Sequence, residues 1–160
     1  MDAGATVVLG LGNILLSDDG IGVRAVGRLA ADARVGPDVT LVDGGTLGLE
    51  LLSYAAGASR LLILDAVELE AAPGTLARVA GANLAGLPTS SSVHQLGVSD
   101  ILSALRMMGC PPREVVLLGL QPASLTLGAE LTPDVAVALD VLVEAAVGEL
   151  ATWGAVDKGE

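Results

Sequence analysis

The sequence predicts an α/β fold, a three-layer α/β/α sandwich around a twisted, mostly parallel sheet of about five strands. Three observations carry this prediction. Short apolar runs that end in glycine or aspartate alternate with segments of helical spacing, the pattern of parallel strands joined by right-handed crossovers. The 160 residues suffice for a single domain over 1–160, because a chain of that length buries roughly 70% of its unfolded surface. Hydrophobic residues make up 52% and aromatics only 1%, with no Phe, so the core is built from Leu, Val, Ile and Ala.

Taken in order, Ala5 to Leu11 is a short apolar run ending in glycine, which suits a strand buried on both faces. Beyond the loop Gly12 to Asp19, residues Ile21, Val23, Val26, Leu29 and Ala30 carry helical spacing that stops near Gly36-Pro37. Asp38 to Val42 reads as a second strand, halted at Asp43-Gly44-Gly45. Thr46 is an N-cap candidate for a helix through Leu49, Leu52 and Ala56, with Gly57 to end it. Leu61 to Leu64 is a third strand that ends at Asp65.

Thr75 to Val79 forms a further strand, entered from Pro73-Gly74, whose place in the sheet the sequence leaves open. A loop rich in Gly, Ser and Pro, Ala80 to Val93, then leads through His94 to a helix from Leu96 to Met108. Val115 to Leu118 is the last strand. Thr132-Pro133-Asp134 is a helix start, with an N-cap residue, Pro at the first position and an acid in the first turn, and that helix runs to about Trp153.

Composition removes several classes of function. Eight basic against 19 acidic residues give a net charge of -11, which repels phosphate backbones and anionic lipid, so no nucleic acid and no membrane partner is expected. Cys110 is the only cysteine, so no intrachain disulfide forms. The apolar stretches are cut by charge or glycine well short of the roughly 20 residues a bilayer needs, and the N-terminus lacks the pattern of a signal peptide. A cytoplasmic location is the expectation.

The chemistry is expected beyond the carboxyl ends of the strands, where crossover loops converge in open α/β sheets. Asp18 and Asp19 follow the first strand, Asp43 ends the second and Asp65 the third, while the loop of His94 opens to the same side. Two carboxylates and an imidazole would suit a divalent ion such as nickel, zinc, iron or manganese. Each residue also has an ordinary role open to it: a helix N-cap for Asp19, a turn for Asp65 or Asp43, a hydrogen-bonded core or surface residue for His94. An Asp19–Asp65 dyad sharing one proton, as in aspartic peptidases, is a further possibility.

The turn Gly10-Leu11-Gly12-Asn13 invites an alternative reading, a nucleotide or small-molecule binding module. Leu15 stands where the third glycine of that fingerprint belongs, and Asp18 and Asp19 would set negative charge where the pyrophosphate should sit. No serine lies in a G-x-S-x-G elbow, and Cys110 is remote in sequence from His94, which argues against a serine or cysteine hydrolase.

Several segments together resemble one family, the endopeptidases that mature the large subunit of nickel-iron hydrogenases. They are the run from Gly10 to Arg24 containing Ser17-Asp18-Asp19-Gly20, then Asp43-Gly44-Gly45-Thr46, Asp65-Ala66, Pro73-Gly74-Thr75, His94-Gln95-Leu96-Gly97, Gly119-Leu120-Gln121-Pro122 and Leu131-Thr132-Pro133. The resemblance implies a phosphorylase/hydrolase-like sandwich and a hydrogenase-maturation protease that cuts the C-terminal extension from the nickel-loaded large-subunit precursor. It also implies that Asp19, Asp65 and His94 bind the metal. Nickel is then a recognition element supplied by the substrate protein, replaceable by another divalent ion in vitro. Asp19, Asp65 and Asp43 remain the candidates for activating water, and a member that only binds the precursor is a third possibility.

Overall fold

The computed structural model describes residues 4–45, 47–86 and 98–157. Five strands, β1 (Thr6–Leu11), β2 (Val39–Gly45), β3 (Arg60–Ala66), β4 (Leu76–Ala80) and β5 (Glu114–Leu120), form one sheet in the order β2-β1-β3-β5-β4. The four strands β2, β1, β3 and β5 are mutually parallel, and β4 closes the far edge antiparallel to β5. This settles the place of the strand entered from Pro73-Gly74. It turns straight back along the sheet, and its exposed Arg78 pairs with Glu149 across to the last helix, which puts charge on an edge that could otherwise recruit another strand.

The helices are α1 (Ile21–Ala30), α2 (Leu51–Ala55), α3 (Val98–Met107) and α4 (Pro133–Thr152). β3 shows why they cover both faces. Its side chains alternate, so Leu62 and Leu64 enter a core with Ile21, Ala25 and Leu29 of α1 and Leu142, Ala146 and Leu150 of α4. Leu61 and Ile63 enter the opposite core with Leu51 and Ala55 of α2 and Ile101 and Leu105 of α3. A continuous apolar run is the sequence form of a strand covered on both sides. Burying each such Leu or Ile fully is worth roughly 1.5–3 kcal/mol.

Element ends differ from the expectations in informative ways. α1 stops at Ala30, short of Gly36-Pro37, because Asp32 and Arg34 turn the chain: Asp32 accepts from both the backbone N–H and the guanidinium of Arg34. α2 begins only at Leu51, so Leu49 lies ahead of it in a turn, and Thr46 falls outside the described residues. α4 starts at Pro133 as expected, yet the Thr132 side chain does not cap it. The Thr132 hydroxyl instead donates to Asp18 at 2.7 Å. Among the described residues no helix is long and apolar enough to cross a membrane.

Candidate active site at the carboxyl edge of the sheet

From β1 the chain crosses to β2 on one side, and from β2 it returns to β3 on the other, so the two crossovers diverge between β1 and β3. A crevice forms at the carboxyl ends of strands where the order reverses in this way. Asp19 and Asp65 are brought together there. Asp19 belongs to a single 3-10 turn, Ser17–Gly20, between β1 and α1, and Asp65 is the second-last residue of β3. Both are buried, at 2% and 6% exposure.

Each carboxylate accepts one backbone hydrogen bond, Asp19 from Asn13 N–H at 2.9 Å and Asp65 from Ala66 N–H at 2.8 Å. Among the described residues neither is paired with an arginine or lysine. Burial, aided by the nearby Asp19 charge and only partly offset by the Ala66 N–H, pushes the Asp65 carboxyl up to about 8. Burial raises Asp19 as well, against the pull of the Asn13 N–H. Two carboxyls in this situation hold a proton at neutral pH that ordinary aspartates have lost. They can exchange that proton with a reacting group, or give it up to a divalent cation that neutralises both at once. Hard oxygen donors of this kind fit such an ion.

The third member of the expected metal set, His94, lies outside the described residues. Among the described residues no three His, Cys, Asp or Glu side chains cluster as a metal site. Asp43 differs from the buried pair in exposure. It is exposed on the edge strand β2, level with Gly10 of β1, at the rim of the same sheet edge.

The glycines of the β1 turn are explained by close packing. Gly12 has φ +123°, and a Cβ there would lie 1.8 Å from the carbonyl oxygen of Asp19. A Cβ on Gly22 would fall 2.1 Å from the Leu64 carbonyl oxygen, so α1 rests directly on the backbone of the sheet. The space that the dinucleotide reading reserves for a pyrophosphate beside Gly12 is taken by this chain's own Asp19 backbone. The turn therefore aims Asp19; the alternative reading keeps no seat at this point.

Asp18, adjacent in sequence, has the opposite part. It is fully buried and accepts from Ala123 N–H, Ser124 N–H, Thr132 N–H and the Thr132 hydroxyl, at 2.7 to 3.0 Å. Burial alone would raise its pKa, but the Thr132 hydroxyl and the three N–H groups outweigh burial and hold the carboxyl below its ordinary value. Asp18 thus fastens the segment 121–132 to the β1–α1 turn. Ser17 adds to the fastening: it takes φ +53°, its N–H donates to Gly128 O at 2.9 Å, and its hydroxyl donates to Thr126 O at 2.7 Å. Arg24 of α1 reaches the Ala129 carbonyl.

Gln121 is a second fastening point that the sequence offered only as part of a motif. Buried at the end of β5, it accepts from Leu69 N–H at 2.6 Å and donates to Glu68 at 2.9 Å, which ties down the loop that leaves Asp65. An amide at the end of an apolar strand was the available signal, since a buried Gln needs donors and acceptors on both sides.

Comparison with known proteins fits this architecture to one group. The model of the family described as hydrogenase maturation protease matches residues 23–149. The Hydrogenase 2 maturation protease of Escherichia coli is 41% identical over 150 residues, covering 92% of this chain and 92% of that protein. The hydrogenase expression/formation protein HupD of Rhodobacter capsulatus is 39% identical over 151 residues, covering 92% of this chain and 72% of that protein. The structure of the hydrogenase maturating endopeptidase HybD from E. coli superposes with a TM-score of 0.86 at 38% identity, covering 95% of this chain and 94% of that one. This chain belongs to the hydrogenase maturation protease family, and the buried carboxyl pair between β1 and β3 is the candidate centre of an endopeptidase.

Proposed function

We propose that this endopeptidase removes the C-terminal extension of the nickel-loaded large-subunit precursor of a nickel-iron hydrogenase, in the cytoplasm, and that Asp19 and Asp65, with His94, read the nickel that the precursor carries. The observation that supports this most is the buried carboxyl couple at the strand-order reversal, paired with no arginine or lysine among the described residues, with Asp65 pushed up to about 8. A buried couple with no cation beside it is costly to ionise. A divalent ion arriving with the substrate removes that cost, so the site favours a precursor that has its metal over one that does not. Three protein ligands leave coordination positions for the precursor's own ligands, which fixes the scissile bond against the sheet edge.

Water activation falls to the same carboxyl groups. Once the ion is seated, the proton that Asp19 and Asp65 held is released, and an oxygen that either leaves uncoordinated serves as the general base for water, while the substrate's nickel polarises and positions the carbonyl. Asp43, at the rim, is the further candidate base. The test is incubation of the full chain with nickel-loaded and nickel-free precursor, following the shortened product by mass spectrometry. Wild type should process only the loaded form, and Asp19→Asn, Asp65→Asn and His94→Ala should each lose at least about a hundredfold in rate. Equal processing of loaded and nickel-free precursor, or wild-type rates in Asp65→Asn and His94→Ala, would refute the assignment.

A further inference from the structure

The fastenings around Asp18 hold something specific in place. Ile14, Leu15 and Leu127 are 47%, 57% and 85% exposed, with Leu125 beside them at 37%. Leu16 and Gly128 form a parallel bridge, Gly128 N–H donates to Leu15 O at 2.8 Å and Ser17 N–H donates to Gly128 O at 2.9 Å. The two loops therefore lie side by side as a short ledge, and the Asp18 hydrogen bonds lock its base. Considerable polar bonding is spent on displaying aliphatic side chains to solvent.

Two further facts say what covers them. The ledge is continuous with the candidate active site: Asn13, next to Ile14, donates to Asp19, and Asp19 N–H donates to Leu16 O. In a chain of net charge -11, no charged residue occurs between positions 11 and 17 or between 119 and 129. Depletion of charge around rigid aliphatic anchors is the composition of the core of a protein interface.

We propose that Ile14, Leu15, Leu125 and Leu127 form a preformed apolar docking ledge for the precursor protein, which presents an aliphatic or aromatic patch beside its processing site. This rests on the reading of function above. The ledge seats the body of the precursor while the carboxyl pair handles the scissile end, so binding energy gathered away from the reacting bond orients that bond.

The experiment measures steady-state cleavage of cognate nickel-loaded precursor by wild type, Leu15→Ser, Leu127→Ser and Met107→Ser, with thermal melts of each. Serine adds no charge, and Met107, 89% exposed near the end of α3, is an apolar control away from the ledge. The two ledge variants should raise KM about tenfold or more with kcat within twofold and the melt unchanged, because losing a buried leucine contact weakens association by roughly that factor. Met107→Ser should match wild type, and Leu127→Met should recover most of the lost affinity. A KM within twofold of wild type in both ledge variants would overturn the ledge alone. Failure of wild type to cleave the precursor would overturn the functional reading and the ledge with it.

Discussion

Replacing Asp18 by Asn should unfold this protein more readily than most surface changes and should do so in a pH-dependent way. The carboxylate accepts four hydrogen bonds, three from backbone N–H groups and one from the Thr132 hydroxyl. Three of these donors converge on Oδ2 and only the Thr132 N–H on Oδ1, so an Asn with its oxygen at the Oδ2 position keeps three partners as a neutral acceptor and turns its NH₂ toward the Thr132 N–H in a buried setting. The orphaned donor costs roughly 1–3 kcal/mol, and each of the three bonds that falls from a charged to a neutral acceptor roughly 0.5–1 kcal/mol more, giving a destabilisation of about 3–5 kcal/mol. Against a typical total of about 5–15 kcal/mol, and about 2–4 °C per kcal/mol at this size, the melting temperature should fall by roughly 10 °C or more. The sign with pH follows from the lowered Asp18 pKa. A depressed acid stabilises fully above its unfolded value of 3.8 and loses that stabilisation as pH falls through its lower folded value. The gap between wild type and Asp18→Asn, measured by urea titration, should therefore be full at pH 7 and shrink below about pH 4. A gap under about 1 kcal/mol at pH 7, or one that grows on acidification, would refute the fastening role.

Asp65 should show the reverse dependence in the metal-free protein. Its folded pKa of about 8 exceeds the ordinary 3.8, so the folded state keeps a proton that the unfolded chain releases between those values, and stability falls as pH rises through that window. Asp65→Asn should flatten this slope and be the more stable form at pH 9 by up to about 6 kcal/mol; denaturant titrations at pH 5 and 9 that ran parallel would count against it. Gly12→Ala must accommodate φ +123° and a Cβ 1.8 Å from the Asp19 carbonyl oxygen, so it should cost at least about 2 kcal/mol and depress processing by displacing Asp19. A fully active, equally stable Gly12→Ala protein would show that the turn does not aim Asp19. Gln121→Leu should speed amide hydrogen exchange at Leu69, whose N–H donates to the Gln121 side chain; unchanged protection there would mean that the loop is held by other contacts.

How much of this was legible in the sequence depended on whether a residue's partners were local. β3 was readable because an unbroken Leu-Leu-Ile-Leu run has one good solution, a strand covered on both faces, and Asp65 then had to fall at its end. The antiparallel seat of β4 was not readable, since nothing in Leu76 to Ala80 says which edge it joins. Thr132-Pro133 correctly marked the start of α4, but the capping role expected of Thr132 assumed a free hydroxyl. Asp18, 114 positions away in sequence, claims that hydroxyl. The positive φ of Ser17 likewise exists only because Gly128 and Thr126 hold it from outside.

The adjacent acids Asp18 and Asp19 show most directly how the fold divides labour between equivalent side chains. A 3-10 turn places successive residues about 120° apart, so one carboxylate faces the segment 121–132 and the other the crevice between β1 and β3. The first meets four donors and becomes a better anion than in water. The second meets one donor and a second buried carboxyl, and the pair becomes a worse one. The four donors at Asp18 stabilise the turn that also carries Asp19, whose burial near Asp65 disfavours the charge of both. Removing Asp18 should therefore loosen the very turn that aims Asp19, and a cation offered to the pair should recover part of the stability that the pair alone forfeits.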